Sequence, residues 1–465
     1  MLLSKNVDET SRPTLYRGLK YWGKKPHNVW GEFIRQYTRQ KNIVYDPFAG
    51  SGLTFLEAIK TYRKPIVADI NPLTLFLINV YSKNFNSNNI ILYVREILKK
   101  AKNTTIYRKN FIGKCSNCGE LTDIYNYRVE NNIRYARSYK CSHCKKTITD
   151  NIKTVPYNTT LNLWKPNFNL KQLFSIAPAF INKIGGDNIS NLWTERNVEL
   201  LSLIFNEINS NYNSERDALM FAFLKTVHLT TKMCALRSEE TNRPLSTSWG
   251  RPAFLDLKSY MEQNPVLQFE KSIFGNAGII KCLKSRSSYL PNYTYSTDVR
   301  AINDVDGIVM LKDSKKINNG FVADFILTDP PYGSIIQYGE LSQVWNVWLE
   351  KFSNIYKVSL NDEIVVNRQK KYEKYIADMK KVFTNCHRLL AQDGTIVLTF
   401  NSNTVADWQA LNSAIINSGF SVNNSQYQKN KRSSEANVLN KEGIGISDFY
   451  FSIKHSNSIY KGLSI

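Results

Sequence analysis

Long apolar runs are missing from this chain of 465 residues: no stretch of 18 apolar residues occurs, which excludes a membrane-spanning helix. The start, Met1-Leu2-Leu3-Ser4-Lys5, lacks the apolar core of a signal peptide, so a soluble protein of the cytoplasm is expected. Acidic residues are scarce as well. Against 61 Lys and Arg stand 39 Asp and Glu, a net charge of +22, and an excess of that size points to a polyanionic partner, although an Asn-, Lys-, Ile- and Tyr-rich composition accounts for part of it. Cysteine is sparse, with seven in all, a usage that fits a reducing compartment. The length is too great for one compact domain.

What is present is concentrated in a few short strings. The apolar run Phe325-Ile326-Leu327-Thr328 ends in Asp329-Pro330-Pro331-Tyr332. This tetrapeptide suits methylation of the amino group of a nucleobase. An exocyclic amino nitrogen is a poor nucleophile because its lone pair is delocalised into the ring, and acceptors for its hydrogens draw it toward tetrahedral geometry. Asp329 and the carbonyl of Pro330 would be those acceptors. Tyr332 would hold a base flipped out of its stack, and Pro330 and Pro331 would fix the turn.

A second string supplies a nucleoside site. Ile43-Val44-Tyr45-Asp46 reads as a buried strand, followed by Pro47-Phe48-Ala49-Gly50-Ser51-Gly52 and a helical stretch from Leu53 to Tyr62. Gly50 and Gly52 let backbone approach a ligand at a strand-to-helix turn. A further strand, Ile66-Val67-Ala68, ends in Asp69, about 20 residues past the glycine turn, where an acid can take both ribose hydroxyls. No G-x-G-x-x-G string is present. The Asp46-Pro47-Phe48-Ala49-Gly50-Ser51-Gly52 string instead resembles the S-adenosylmethionine loop of DNA amino-methyltransferases.

Four cysteines form two pairs, Cys115-x2-Cys118 and Cys141-x2-Cys144, separated by residues 119 to 140. Two such pairs provide the four thiolates of a closed, structural zinc site, with His143 a competitor that fits the spacing less well than Cys144. Tyr125, Tyr127, Val129, Ile133 and Tyr135 alternate as in the hairpin of a zinc ribbon. Cys234, Cys282 and Cys386 read as small buried hydrophobes.

With these motifs on the page, the chain resembles the adenine-specific DNA methylases that carry a zinc ribbon. The resemblance implies an α/β fold, a seven-stranded, Rossmann-like sheet of the S-adenosylmethionine-dependent methyltransferases, with an inserted zinc-ribbon and helical domain. The segment Tyr21 to Trp30, including Lys25 and Pro26, resembles the part of the family that packs against the methionine end of the cofactor. Tyr293 to Asp298 resembles the third cofactor strand, whose terminal Asp298 would bond the cofactor adenine. Gln337 to Ser342, Trp345-Asn346-Val347-Trp348 and Leu389 to Phe400 also match the family pattern. The implied organisation is a methyltransferase core in two parts, residues 1–85 and 290–465, a ribbon over 86–150 and a helical target-recognition unit over 151–289. In the last, helices are expected around Val198 to Ile208 and Arg216 to Leu236, with His228 a packed rather than catalytic histidine.

The expected activity is methyl transfer from S-adenosylmethionine to adenine N6 in double-stranded DNA, with Asp46, Pro47, Phe48, Gly50, Gly52 and Asp69 forming the cofactor loop. N4-methylation of cytosine is the alternative with the same amine chemistry. An RNA guanine-N2 enzyme and an inactive DNA-binding protein are less favoured. None of the 14 prolines is followed by cysteine, so the nucleophile that a cytosine-C5 enzyme usually carries in that position is missing. DNA contacts are expected from Arg237, Arg243 and Arg251 and from Lys429 to Ser434, each equally readable as a solvated basic loop. The resemblance implies a prokaryotic, nucleoid-associated protein, with a cognate restriction endonuclease or another defence-system component as a further partner.

Overall fold

Strand β1 (Ile43–Asp46), β2 (Lys64–Asp69), β3 (Tyr295–Ser296), β4 (Gly307–Leu311), β5 (Ala323–Thr328), β6 (Leu390–Phe400), β7 (Phe420–Lys429) and β8 (Ser447–His455) assemble one sheet in the order β3-β4-β2-β1-β5-β6-β8-β7. The computed structural model describes the chain apart from residues 1, 4–6, 212–213, 239–240, 245–252, 255–256, 358, 403, 430–446 and 457–465. Strands β3 to β6 run parallel across β2 and β1, and β8 is antiparallel to both β6 and β7. The central strands are apolar nearly throughout, as strands covered on both faces must be. Helix Leu53–Lys60 carries the chain from β1 to β2.

Two expectations change here. The sheet has eight strands rather than seven, because the two-residue β3 adds an outer edge. The third position, beside β2, belongs to β4 and not to Tyr293-Thr297. Ile308 pairs with Ile66 and Met310 with Ala68. The physical reason is composition: Gly307-Ile308-Val309-Met310-Leu311 is a continuous apolar run fit for a site covered on both faces, whereas the alternating polar residues of β3 suit an edge.

The insert between helix Pro72–Ser82 and β3 is one packed unit. Strands Ile112–Lys114, Leu121–Glu130, Ile133–Lys140 and Thr147–Thr154 form the ribbon sheet, and strand Ser259–Gln263, from far along the insert, pairs with Leu121–Glu130. The division at residue 150 therefore does not mark a break in packing. Bulges interrupt the hairpin, so the expected alternation holds only in part. Tyr127 and Val129 are buried while Tyr125 and Ile133 are exposed, and Arg134 takes an inward position.

The expected helix around Val198 extends over Glu195–Asn211, and the next stops at Leu229 rather than Leu236. That second helix, Arg216–Leu229, is buried on nearly all sides. It joins helix Tyr338–Phe352 of the core, where the Trp345 indole donates to the Leu224 carbonyl at 3.0 Å. Trp348 packs against Trp164, Trp193, Phe205 and Phe223. The Trp345-Asn346-Val347-Trp348 string is thus a packing seam between core and insert. His228 lies in this seam against Trp345, and burial pushes its pKa down to about 3, which keeps it neutral.

Ribbon and helices are locked by a buried ion cluster. Glu262 of strand Ser259–Gln263 bonds Arg134 Nε at 2.9 Å, accepts from the Thr194 hydroxyl at 2.9 Å and pairs with Arg196. Burial opposes its ionisation, but the two guanidinium groups prevail and hold its pKa at about 2. Because this pKa is depressed, the stabilisation is present above the ordinary glutamate range and is lost as pH falls toward 2. Glu262→Gln leaves two buried cations short of an anion and should cost about 3 to 5 kcal/mol. Urea unfolding at pH 7 would check it, and a loss under ~1 kcal/mol would show the cluster to be idle.

Candidate functional site

Three aspartates close three adjacent parallel strands, and a fourth stands two residues beyond its own. Asp69 ends β2, Asp46 ends β1, Asp329 follows β5 directly, and Asp313 lies just past β4. All four line one cavity with Lys25, Pro47, Phe48, Gly50, Pro331 and Tyr338. The cavity lies beyond the carboxyl ends of the strands, where the sheet order reverses between β1 and β5, the usual ligand position in such a sheet.

The glycine loop is shaped by backbone that other residues resist. Gly50 has φ +52°, and a side chain there would press on the ring of Tyr21. Its N–H donates to Asp69 Oδ2 at 2.6 Å, while Asp69 Oδ1 accepts from the Asn71 N–H at 2.8 Å. Withdrawal from water raises Asp69 to about 6 despite these donors. Asp46 accepts from the Phe48 N–H at 3.0 Å, from the Thr328 hydroxyl at 2.8 Å and from Thr54, and burial lifts it to about 7. Tyr21 stacks on Tyr338, centroids 5.9 Å apart, over the loop.

Asp313 was missed in the sequence. Its Oδ1 accepts from the Lys315 N–H at 3.0 Å, but its buried Oδ2 has no hydrogen-bond donor among the described residues. The signal was available in the apolar run of β4 that precedes it. Asp298, assigned this role, is corrected: it caps the turn Val299–Ala301, is 45% exposed and is paired with Arg300 at 2.6 Å, away from the cavity. Hydrogen bonds from Arg300 hold its pKa near 2. Glu363, also unforeseen, faces the cavity, accepts from the Gly339 N–H at 2.7 Å and is raised by burial to about 7.

The Asp329–Tyr332 turn departs from expectation in one respect. The Tyr332 ring is 8% exposed and meets Phe400 edge-on, so its face is packed rather than open. Its hydroxyl donates to Asp329 Oδ1 at 2.6 Å, as does the Thr399 hydroxyl at 2.7 Å. The Pro331 carbonyl accepts from the Tyr375 hydroxyl at 2.8 Å. Gly333, φ +56°, turns directly beneath Asp407, where a Cβ would lie 2.0 Å from Oδ1. Burial raises Asp329, opposed by Lys25 at 3.5 Å. Lys25 reaches the Asp329–Tyr332 turn as well as the cavity wall. Pro26 begins helix His27–Tyr37 and Gly52 caps helix Leu53–Lys60; neither these nor Pro330 and Tyr332 line the cavity.

Far from this cavity, Cys115, Cys118, Cys141 and Cys144 bring their sulfurs within 4.8 Å of one another. Sulfur separations of 3.8 Å (Cys115 to Cys144) and 3.6 Å (Cys118 to Cys141) suit a tetrahedron, since thiolates about 2.3 Å from zinc stand roughly 3.8 Å apart. The two knuckles turn at Gly119 and Lys145, both at positive φ. His143 is exposed and outside the group. The donor set fits a structural zinc ion. Elemental analysis of protein purified without chelator should find one zinc per chain, and Cys118→Ser should abolish it while sparing the cavity; metal-free wild type would refute the ribbon reading.

The candidate DNA-contacting side chains at Arg237, Arg243, Arg251 and Lys429 to Ser434 lie outside the described residues. No helix among the described residues is long and apolar enough to cross a membrane.

No curated protein matches the sequence. Among solved structures, a putative methyltransferase from Thermoplasma acidophilum is 12% identical, covering 39% of this chain and 55% of its own, with TM-score 0.19. The segment titled StiE O-MT residues 942-1257 is 11% identical, covering 39% and 57%, also with TM-score 0.19. The chain thus spans a little over half the length of these structures. The DNA methylase family pattern, of the N6/N4 type, matches residues 4–75 and 323–456, two segments that hold the glycine loop and the catalytic turn and omit the insert. That match takes in less than half of the chain and is a likeness to that family over those two segments.

Proposed function

We propose that this protein transfers a methyl group from S-adenosylmethionine to the N6 amino group of adenine in double-stranded DNA. The observation that carries the proposal is the shared cavity: a nucleoside-type glycine loop with Asp69 opens directly onto Asp329. The residues present fit the cofactor. The buried Oδ2 of Asp313, which no hydrogen bond occupies, would accept from the adenine amino group, Asp69 would take the ribose hydroxyls, and the Gly50 turn admits close approach of the ligand. S-adenosylmethionine, when bound, supplies the methyl group on a positively charged sulfur.

The chain's part in the chemistry is to bind, orient and accept. Asp329 would take a hydrogen bond from the target amine and stabilise the positive charge that develops on its nitrogen. The Pro330 carbonyl would accept the second hydrogen, which draws the nitrogen lone pair out of conjugation. No covalent link to the enzyme is required. The flipped base would lie over the turn, with Tyr332 offering its ring once the base displaces the present packing.

Two tests follow. Asp313→Ala should weaken cofactor binding by about 1 to 3 kcal/mol, the cost of removing a charge-assisted bond, while Asp298→Ala should leave it unchanged. Calorimetry reads both, and the reverse result would restore Asp298 to the site. Asp329→Ala should lower turnover by at least about 100-fold with little change in cofactor affinity, the scale for loss of one preorganised electrostatic partner. Tritium transfer from labelled cofactor into duplex DNA, followed by nucleoside chromatography, measures it. Label in N6-methyladenine supports the proposal, and label in N4-methylcytosine moves the enzyme to the other amine.

A further inference from the structure

The four-residue cluster Lys25, Asp329, Tyr332 and Asp448 joins three distant parts of the chain. Lys25 precedes helix His27–Tyr37, Asp329 and Tyr332 belong to the turn after β5, and Asp448 lies in β8 near the far end of the sequence. The Lys25 ammonium donates to Asp448 Oδ1 at 2.8 Å and to the Tyr332 hydroxyl, and it stands 3.5 Å from Asp329 Oδ1. It also lies 5.0 Å from the centre of the Tyr332 ring. Lys25 is 7% exposed, so its charge is kept from water and must be met by these groups.

We propose that Lys25, anchored by Asp448, is the positioning residue that keeps Asp329 in its charged, acceptor-only form beside the target amine. The inference rests on the reading of Asp329 as the acceptor for that amine. Only an ionised carboxylate has every lone pair available; a protonated one carries a hydrogen that repels the amine's own. The cavity works against ionisation. Asp329 is buried, and Asp448 adds a like charge. Among the described residues facing it, Lys25 supplies the opposite sign. The others are the hydroxyls of Tyr332, of Thr399 on β6, of Tyr338 on the next helix and of Tyr450 on β8. Burial by itself would strip the proton from Lys25, but Asp329 and Asp448 outweigh it and keep the ammonium charged.

Asp448 has a second use. Without it, Lys25 would be free to collapse onto Asp329 and occupy the face that the amine needs. With it, the ammonium is held closer to Asp448 than to Asp329, at 2.8 against 3.5 Å. The three charges sum to one negative, opposite in sign to the sulfonium that delivers the methyl group and to the nitrogen that receives it.

The test is the pH dependence of methyl transfer to duplex DNA by the full chain, with cofactor affinity and thermal stability measured in parallel. Lys25→Met should move the acid limb of kcat, read at saturating cofactor, upward by at least about one pH unit, a tenfold change in proton affinity. Lys25→Arg should keep the limb near its original place. Lys25→Met combined with Asp448→Asn should bring it back down, since one of two unbalanced carboxylates is then neutral. An unmoved limb in Lys25→Met, or a double variant no better than the single one, overturns the proposal and leaves Lys25 a packing residue. An infrared measurement needs no turnover: at pH 7, the difference spectrum of Lys25→Met against wild type should show an added protonated-carboxyl stretch that is lost when Asp329→Asn is included, and absence of that added band also overturns it. If the wild type methylates no DNA, the proposed function falls, while the infrared result still decides the charge on Asp329.

Discussion

Four carboxylates held at the ends of neighbouring parallel strands are the constraint around which this site is built. The register places Val44 beside Phe325 and Tyr45 beside Ile326, so β1 and β5 finish together and the Thr328 hydroxyl meets Asp46. Parallel strands give such convergence readily, because their carboxyl ends all face one way. The difficulty is electrostatic. Backbone N–H groups of Phe48, Gly50, Asn71 and Lys315 and hydroxyls of Thr54, Thr328 and Thr399 compensate in part, yet burial still raises Asp46, Asp69 and Asp329. A cavity of this kind favours a cationic occupant, since a positive charge would relieve what the protein's dipoles leave unmet.

The insert enters this architecture through packing. Trp345 and Trp348, on the helix that follows the catalytic turn, are buried in a seam shared with the insert's helices. Glu340, at the start of the same helix, accepts from the backbone N–H groups of Phe174 and Ser175 at 2.8 and 2.9 Å, tying the irregular segment after the ribbon to the core. Aromatic residues of this size carry large apolar burial each, so the insert cannot shift without disturbing the helix that begins at Tyr338 on the cavity wall.

What was legible in the sequence was local. Asp46 through Gly52, Asp69 and the Asp329 turn announce themselves because strand, turn and acid follow within a few residues, and the paired cysteines do so by spacing alone. The third strand was placed at Tyr293 to Asp298 by resemblance, whereas the strand beside β2 is the short apolar run of β4, set in the midst of polar sequence. Asp448 and Glu363 had no local signal. Each is a lone acid whose meaning comes from a partner hundreds or tens of residues away, Lys25 for one and Gly339 for the other. Tyr332 was expected to offer an open ring face, but the ring is turned into Phe400, a packing choice that the tetrapeptide does not encode.

Under the proposed reaction, charge balance joins these details. Methyl transfer to an amine begins with a positive sulfur and ends with the positive charge on nitrogen until a proton leaves. An environment of constant net charge that is negative by one unit serves both ends of that path, and the Lys25, Asp329 and Asp448 set has that sum. Removing the lysine would make the set more negative on paper but less so in fact, because two buried carboxylates at close range share a proton sooner than both ionise. On the proposed reading, the buried lysine thus keeps the charge on Asp329 itself, since the set stays at one negative whether a lysine or a shared proton balances it.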